Sequence, residues 1–239
     1  PQYNENDIVE RLTRCGAVFT VQDEHTTIDL TARALADGKA IGWHSGRMEF
    51  GPRSLGCRSI LADPRSPDMQ KTLNLKVKFR ESFRPFAPSV LSEVAHEWFD
   101  MTNVSPYMLH VAHVVEGHRN TMTDEENALF GIEKLNVRRS SIPAVTHVDY
   151  SARVQTVHAE TNPRYHKLIT RFTELTGCPI LVNTSFNVHG EPIVESPEDA
   201  FRCFMSTGLD VLVIGNAVLY KSEQPIGLRS NYQSEYELD

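Results

Sequence analysis

Cysteine is scarce and scattered in this 239-residue chain. Cys15, Cys57, Cys178 and Cys203 form no C-x-x-C pair, so the sequence supports neither a zinc ribbon nor a disulfide framework. Buried free thiols, behaving as small hydrophobes, are expected. No apolar run approaches the ~20 residues a membrane helix needs. The polar opening Pro1-Gln2-Tyr3-Asn4-Glu5 does not read as a signal peptide. A cytoplasmic protein is the expectation, and a chain that opens on proline rather than methionine reads as an excised piece. Basic charge is also in deficit, with 24 Lys+Arg against 31 Asp+Glu and a net charge of −7. That balance disfavours a nucleic-acid groove, which needs basic charge spread over many phosphates. Repeats of 20–50 residues and low-complexity tracts are missing too.

What is present can build a core, since 40% of residues are hydrophobic and 23% charged. Capping patterns announce the helices. Ser196-Pro197-Glu198-Asp199 opens one that Gly208 stops, and Asn162-Pro163 opens another whose Tyr165, Leu168, Ile169, Phe172 and Leu175 share a face before Gly177. Ser66-Pro67-Asp68 predicts a third start, and Thr26 with Asp29 a capping box. Strand-like segments follow at 39–43, 180–182 and 210–214, giving an α/β alternation. Residues 107–115 read as a further strand. Residues 117–141 turn polar and lose periodicity, which predicts a surface loop within one domain. The acidic end, 229–239, is expected to fray.

Three stretches carry chemistry. Residues 46–56, Gly-Arg-Met-Glu-Phe-Gly-Pro-Arg-Ser-Leu-Gly, follow a strand and combine three glycines with two arginines. Backbone N–H groups and guanidinium forks there suit a phosphate or carboxylate, although the stretch is neither a Walker A loop nor a G-x-G-x-x-G turn. Residues 76–88 place Lys76, Lys78, Arg80 and Arg84 among apolar residues, a local reversal of field that suits a multivalent small anion. Asn183-Thr184-Ser185-Phe186-Asn187 follows the 180–182 strand, where short polar side chains can meet phosphate oxygens or a Mg²⁺ shell. No G-x-S-x-G elbow surrounds Ser185. His110, His113 and His118 invite a metal reading, but on a strand positions 110 and 113 face opposite sides.

Taken together with Ile142-Pro143-Ala144-Val145-Thr146-His147-Val148-Asp149 and Ala152-Arg153-Val154-Gln155-Thr156-Val157, these stretches closely resemble the C-terminal part of the O-carbamoyltransferases. That family includes the nodulation-factor enzyme and the enzymes that carbamoylate cephem and aminoglycoside antibiotics. The likeness runs nearly end to end, in the family's order and at similar spacing. One departure is Asp149-Tyr150-Ser151, where relatives more often carry glycine after the aspartate.

The resemblance implies an α/β fold of the α+β type: a YrdC-like twisted mixed sheet with flanking helices and a concave basic face, over residues 26–228 after a connecting segment, 1–25. It also implies a carbamoyl-adenylate-forming activity that uses carbamoyl phosphate, ATP and Mg²⁺. The adenylate would be passed to an N-terminal domain of the sugar-kinase/heat-shock ATPase (ASKHA) type, which holds the family's iron-like metal upstream of this chain and not on its histidines. By motif, Arg53, Arg84 and Arg153 correspond to a carbamoyl phosphate clamp, with Arg53, Arg84 and Lys78 as the catalytic cations. Lys78, Asn183, Ser185 and Asn187 correspond to the ATP and Mg²⁺ region. The rival expectations are a nucleotide- or RNA-binding YrdC-like module without chemistry, and an interaction domain whose exposed face docks the missing N-terminal domain.

Overall fold

Strand pairing brings the polar stretches to one end of a single sheet. The structure is a computed structural model describing residues 1–135 and 137–228; the acidic end, 229–239, lies outside the described residues. In chain order its elements are α1 (Glu5–Arg14), β1 (Thr20–Val21), α2 (Glu24–Ala36), β2 (Ile41–His44), β3 (Arg58–Ala62) and α3 (Met69–Leu73), which continues into a π-helical turn, Asn74–Lys78. Next come β4 (Ala87–Leu91), α4 (Ala95–Trp98), β5 (Phe99–Asp100), β6 (His110–Val114), α5 (Asp124–Ala128) and α6 (Ile132–Leu135). The chain then forms β7 (Ser151–Val157), α7 (Pro163–Thr176), β8 (Ile180–Ser185), α8 (Pro197–Ser206), β9 (Val211–Ile214) and β10 (Ala217–Tyr220). The ten strands among the described residues run β1-β10-β9-β2-β3-β8-β4-β7-β6-β5. The β2/β9 and β4/β7 pairs are parallel, and β3/β8 and β4/β8 are antiparallel. This is the mixed α/β architecture expected from the sequence.

Local chemistry sets the helices. Asn162 accepts from the Tyr165 amide, Pro163 occupies the first turn, and Gly177 closes α7 at φ 73°, a left-handed position that glycine adopts at no steric cost. Ser196 and Asp199 cap α8 reciprocally. The 1–25 segment contributes core: α1 has its own Asn4/Asp7 capping box, buries Ile8 and Leu12, and is tied to α8 by an Arg11–Glu198 pair at 2.9 Å. Each fully buried Leu, Ile or Phe of this kind contributes about 1.5–3 kcal/mol.

Several local expectations need correction. The cap of α2 is Asp23, whose carboxylate accepts from the Thr26 amide at 2.8 Å, while Asp29 pairs instead with Arg33 and Arg171. A stronger capping residue stands three positions ahead of the expected one. The helix predicted from Ser66 begins at Met69 with no side-chain cap, and α8 ends at Ser206 with Thr207 extended, ahead of Gly208. The 107–115 strand contracts to His110–Val114 because Ser105–Met108 forms a turn in which Met108 has φ 57°. The 117–141 excursion is pinned where Arg119 bridges Ser140, and Arg139, buried to 2% exposure, donates to four carbonyls, of Lys134, Leu135, Thr146 and His147.

The most consequential correction is β8, which continues to Ser185 instead of ending at residue 182. Asn183 pairs with Leu61 on one side and Ala87 on the other, so its backbone needs are met in mid-sheet. From these directions the end of β2, the start of β3, the end of β8 and the starts of β4 and β7 coincide. The connections 45–57, 79–86, 146–150 and 186–195 therefore crowd one sheet end. Phe186, buried against β2, anchors the last of these, and a Cβ on Gly42 would lie 2.6 Å from its Cζ. Gly42→Ala should cost about 1–3 kcal/mol by overpacking, read as a lowered urea midpoint; an unchanged midpoint would contradict this packing.

Candidate anion-binding site at one end of the sheet

A buried ammonium defines one half of the site. Lys78, 3% exposed, ends the π-helical turn, and the next residue, Phe79, takes a left-handed conformation at φ 50°. Such turns widen a helix and aim its last side chain inward, and the positive φ of a phenylalanine stores local strain. Lys78 Nζ donates to Ser185 O at 2.6 Å, Ser185 Oγ at 3.1 Å, Asn187 O at 2.9 Å and Asn187 Oδ1 at 2.7 Å. Asn187 in turn donates to the Glu191 carbonyl. Lys78, Ser185 and Asn187, expected to act together, therefore do meet.

Asn74, absent from the expected set, builds the loop that follows. Its Nδ2 donates to the carbonyls of Ser82 at 3.0 Å and Arg84 at 2.9 Å, and its Oδ1 accepts from Arg80 Nε at 2.7 Å. Arg80 also lies over the Phe86 ring, 5.1 Å from the centroid. The Arg84 side chain turns to the surface, where its Nε meets Glu81 at 3.1 Å. The charge of Arg84 lowers the pKa of Arg80 after burial, and that of Arg80 lowers the pKa of Lys78 after burial, so the three cations share one field.

The other half of the site hangs on residues 46–56. Glu49 Oε1 accepts from the amides of Leu55 at 2.6 Å and Cys57 at 2.8 Å. Arg58, fully buried, donates to the carbonyls of Gly46, Cys57, Glu195 and Pro1. One carboxylate gathers the loop's amides and one guanidinium its carbonyls, which fixes the segment carrying the exposed Arg53. Burial, and then the charge of Arg53, depress the pKa of Arg153 on β7, whose buried Nε has no hydrogen-bond partner. Arg53 and Arg153 thus share one locality, while Arg84 pairs with Glu81 on the 79–86 connection at the same sheet end. Tyr150 adopts φ 65°, so the turn into Arg153 has the left-handed shape that glycine most readily takes.

Asn183 sits apart from Lys78, 1% exposed, in a network that includes Gln155, which sequence reasoning missed. Gln155 Oε1 accepts from Ser89 at 2.5 Å and from Asn183 Nδ2 at 2.8 Å, and its Nε2 donates to the Leu55 carbonyl at 2.9 Å. His118 stacks on Trp98 with centroids 3.6 Å apart, while His110 and His113 lie exposed on β6.

A resident Mg²⁺ does not fit Ser185 and Asn187. Their oxygens already surround the Lys78 ammonium, which would repel a second cation there. Burial holds the Lys78 ammonium's pKa down at about 7, so its charge fades as pH rises through neutrality. The ¹³Cε resonance of Lys78 should titrate near pH 7, against about 10.4 for an exposed lysine; a midpoint near the ordinary value would contradict this environment.

A family model described as "Carbamoyltransferase C-terminus" matches residues 32–221. The chain is 56% identical over 238 residues to an uncharacterized protein of Synechocystis, covering 98% of this chain and 39% of that protein. It is 45% identical over 190 residues to nodulation protein NolO of Bradyrhizobium diazoefficiens, covering 78% and 31%. With the 3'-hydroxymethylcephem-O-carbamoyltransferase of Amycolatopsis lactamdurans the identity is 36% over 199 residues, covering 82% and 33%. The chain thus spans between 31% and 39% of the length of these relatives. A crystal structure of full-length HypF in its phosphate- and nucleotide-bound form overlaps 82% of this chain and 22% of its own, at 19% identity and a TM-score of 0.48. The chain belongs to the carbamoyltransferase C-terminus family.

Proposed function

We infer that this chain is the carbamoyl-activating domain of an ATP-dependent O-carbamoyltransferase, forming carbamoyl adenylate from carbamoyl phosphate and ATP. The observation that carries this reading is the gathering of Lys78, Arg80, Arg84, Arg53 and Arg153 around one sheet end in a chain of net charge −7. Two polyanions could be held side by side there, and arginine forks suit phosphate oxygens. Hydrolysis of carbamoyl phosphate would give carbamate and phosphate. A carbamate oxygen would then attack the α-phosphorus of ATP, forming one P–O bond while the bond to the departing pyrophosphate breaks. The chain's part is positioning and charge: Arg53 and Arg153 hold the carbamoyl phosphate, and Lys78 with Arg84 faces the nucleotide phosphates. Mg²⁺ supplies charge neutralisation of the triphosphate and would arrive with it, since such ions keep their waters and bind largely through substrate phosphates.

Family membership and the name of the cephem carbamoyltransferase support a hydroxyl acceptor, reached in a domain outside this chain, of the ASKHA type that the resemblance implies. No helix among the described residues is long and apolar enough to cross a membrane, and we place the activity in the cytoplasm, where ATP is available.

The test is carbamoyl phosphate-dependent exchange of labelled pyrophosphate into ATP. Wild type should exchange, and Lys78→Met should lose about a hundredfold or more, the scale of one lost charge-stabilising donor. Arg84→Ala should lose activity while staying folded, because its side chain is at the surface. Absence of exchange by the wild type would overturn the reading, and full activity of Arg84→Ala would remove that arginine from the site.

A further inference from the structure

The network around Asn183 leaves two buried polar atoms unanswered, and their chemistry matches a carbamoyl group. The Leu55 carbonyl can only accept, so Gln155 must turn its NH₂ toward it. Gln155 Oε1 is then the acceptor for the Ser89 hydroxyl and for Asn183 Nδ2. The Ser54 carbonyl takes the remaining N–H of Asn183 at 3.0 Å. With both of its hydrogens engaged, Asn183 has one group left, its Oδ1, which is buried and unpartnered. The Ser54 hydroxyl, on a residue 3% exposed, is buried and unpartnered as well. Leaving such groups unmade is costly, so each calls for a ligand or a water.

Their surroundings identify the ligand. Asn183, Ala87 and Ser89 share a sheet face with Gln155 and with Arg153 two residues before it. Ala87 carries only a methyl between Asn183 and the level of Arg153, which stand roughly 10 Å apart across β4. Arg153 offers a third unpartnered buried atom, its Nε, and Arg53, which acts on it electrostatically, immediately precedes Ser54. An acceptor that needs an N–H and a hydroxyl that can donate therefore stand near a pair of guanidiniums.

We propose that Asn183 Oδ1 and the Ser54 hydroxyl read the amide end of carbamoyl phosphate, the first accepting from its NH₂ and the second donating to its carbonyl oxygen, while Arg53 and Arg153 hold its phosphate. This rests on carbamoyl phosphate being the substrate, and it assigns Asn183 to the carbamoyl group and not to nucleotide or Mg²⁺. Acetyl phosphate keeps the phosphate and the carbonyl but replaces NH₂ by methyl, which would leave Asn183 unpaired. A site built to hydrogen-bond a group rejects the analogue lacking it.

Equilibrium binding of carbamoyl phosphate, acetyl phosphate and inorganic phosphate to the whole chain tests the assignment without requiring turnover. Wild type should prefer carbamoyl phosphate to acetyl phosphate by about tenfold. Asn183→Leu should bring the ratio close to one. Ser54→Ala, a conservative change that guards against an unfolded Asn183 variant, should weaken both acyl phosphates relative to inorganic phosphate. Equal wild-type affinities for the two acyl phosphates, or a Ser54→Ala protein whose acyl phosphate and inorganic phosphate affinities change by the same factor, would overturn the proposal. A wild type that binds none of the three would overturn it together with the proposed function. Discrimination without pyrophosphate exchange would support this assignment while removing adenylate formation.

Discussion

The Lys78 ammonium, buried at the end of β8, is the constraint around which this sheet end is arranged. An isolated charge there would be expensive to bury, and the cost is offset because four oxygens from two residues of one turn converge on it. Meeting them requires Lys78 to arrive from the opposite direction at the right depth. The π-helical turn and the left-handed Phe79 achieve this, and Asn74 then folds the chain back toward β4. Helix, loop and strand are thereby joined through one buried ammonium.

The two halves of the site differ in how far their polar groups are satisfied. Around Lys78, donors and acceptors find each other within the protein, leaving net positive charge as the main feature offered to a ligand. Around Asn183, Ser54 and Arg153, individual hydrogen-bonding atoms remain open. A field without fixed partners suits a triphosphate that carries its own cations and waters. Open donors and acceptors in a rigid frame suit a small ligand whose every atom can be checked. Glu49 and Arg58 make that frame rigid by gathering the amides and carbonyls of one loop.

Much of the helical framework was legible because caps are local. Asn162-Pro163 and Ser196-Pro197 act within one turn of their own backbone, and both gave helices starting at the expected residues. Thr26 misled because Asp23, with a better acceptor, stood just upstream. The end of β8 was hidden because Asn183, Thr184 and Ser185 break the apolar pattern by which strands are recognised, and it is tertiary pairing, with β3 along all three and with β4 at Asn183, that keeps them in the sheet. Arg53 and Arg153, 100 positions apart, were drawn together only by resemblance to a family. Gln155 and Asn74 left no signal, since a single amide is informative only once its partners are known, and those of Gln155 lie on three other segments.

A crystal structure of the chain with carbamoyl phosphate and a non-hydrolysable ATP analogue tests the central claim most directly. The account predicts the carbamoyl phosphate phosphorus between the guanidiniums of Arg53 and Arg153, its nitrogen on Asn183 Oδ1, and the nucleotide α-phosphate on the side of Lys78. Ligands bound away from this sheet end, or a carbamoyl group that leaves Asn183 Oδ1 unpaired, would contradict it.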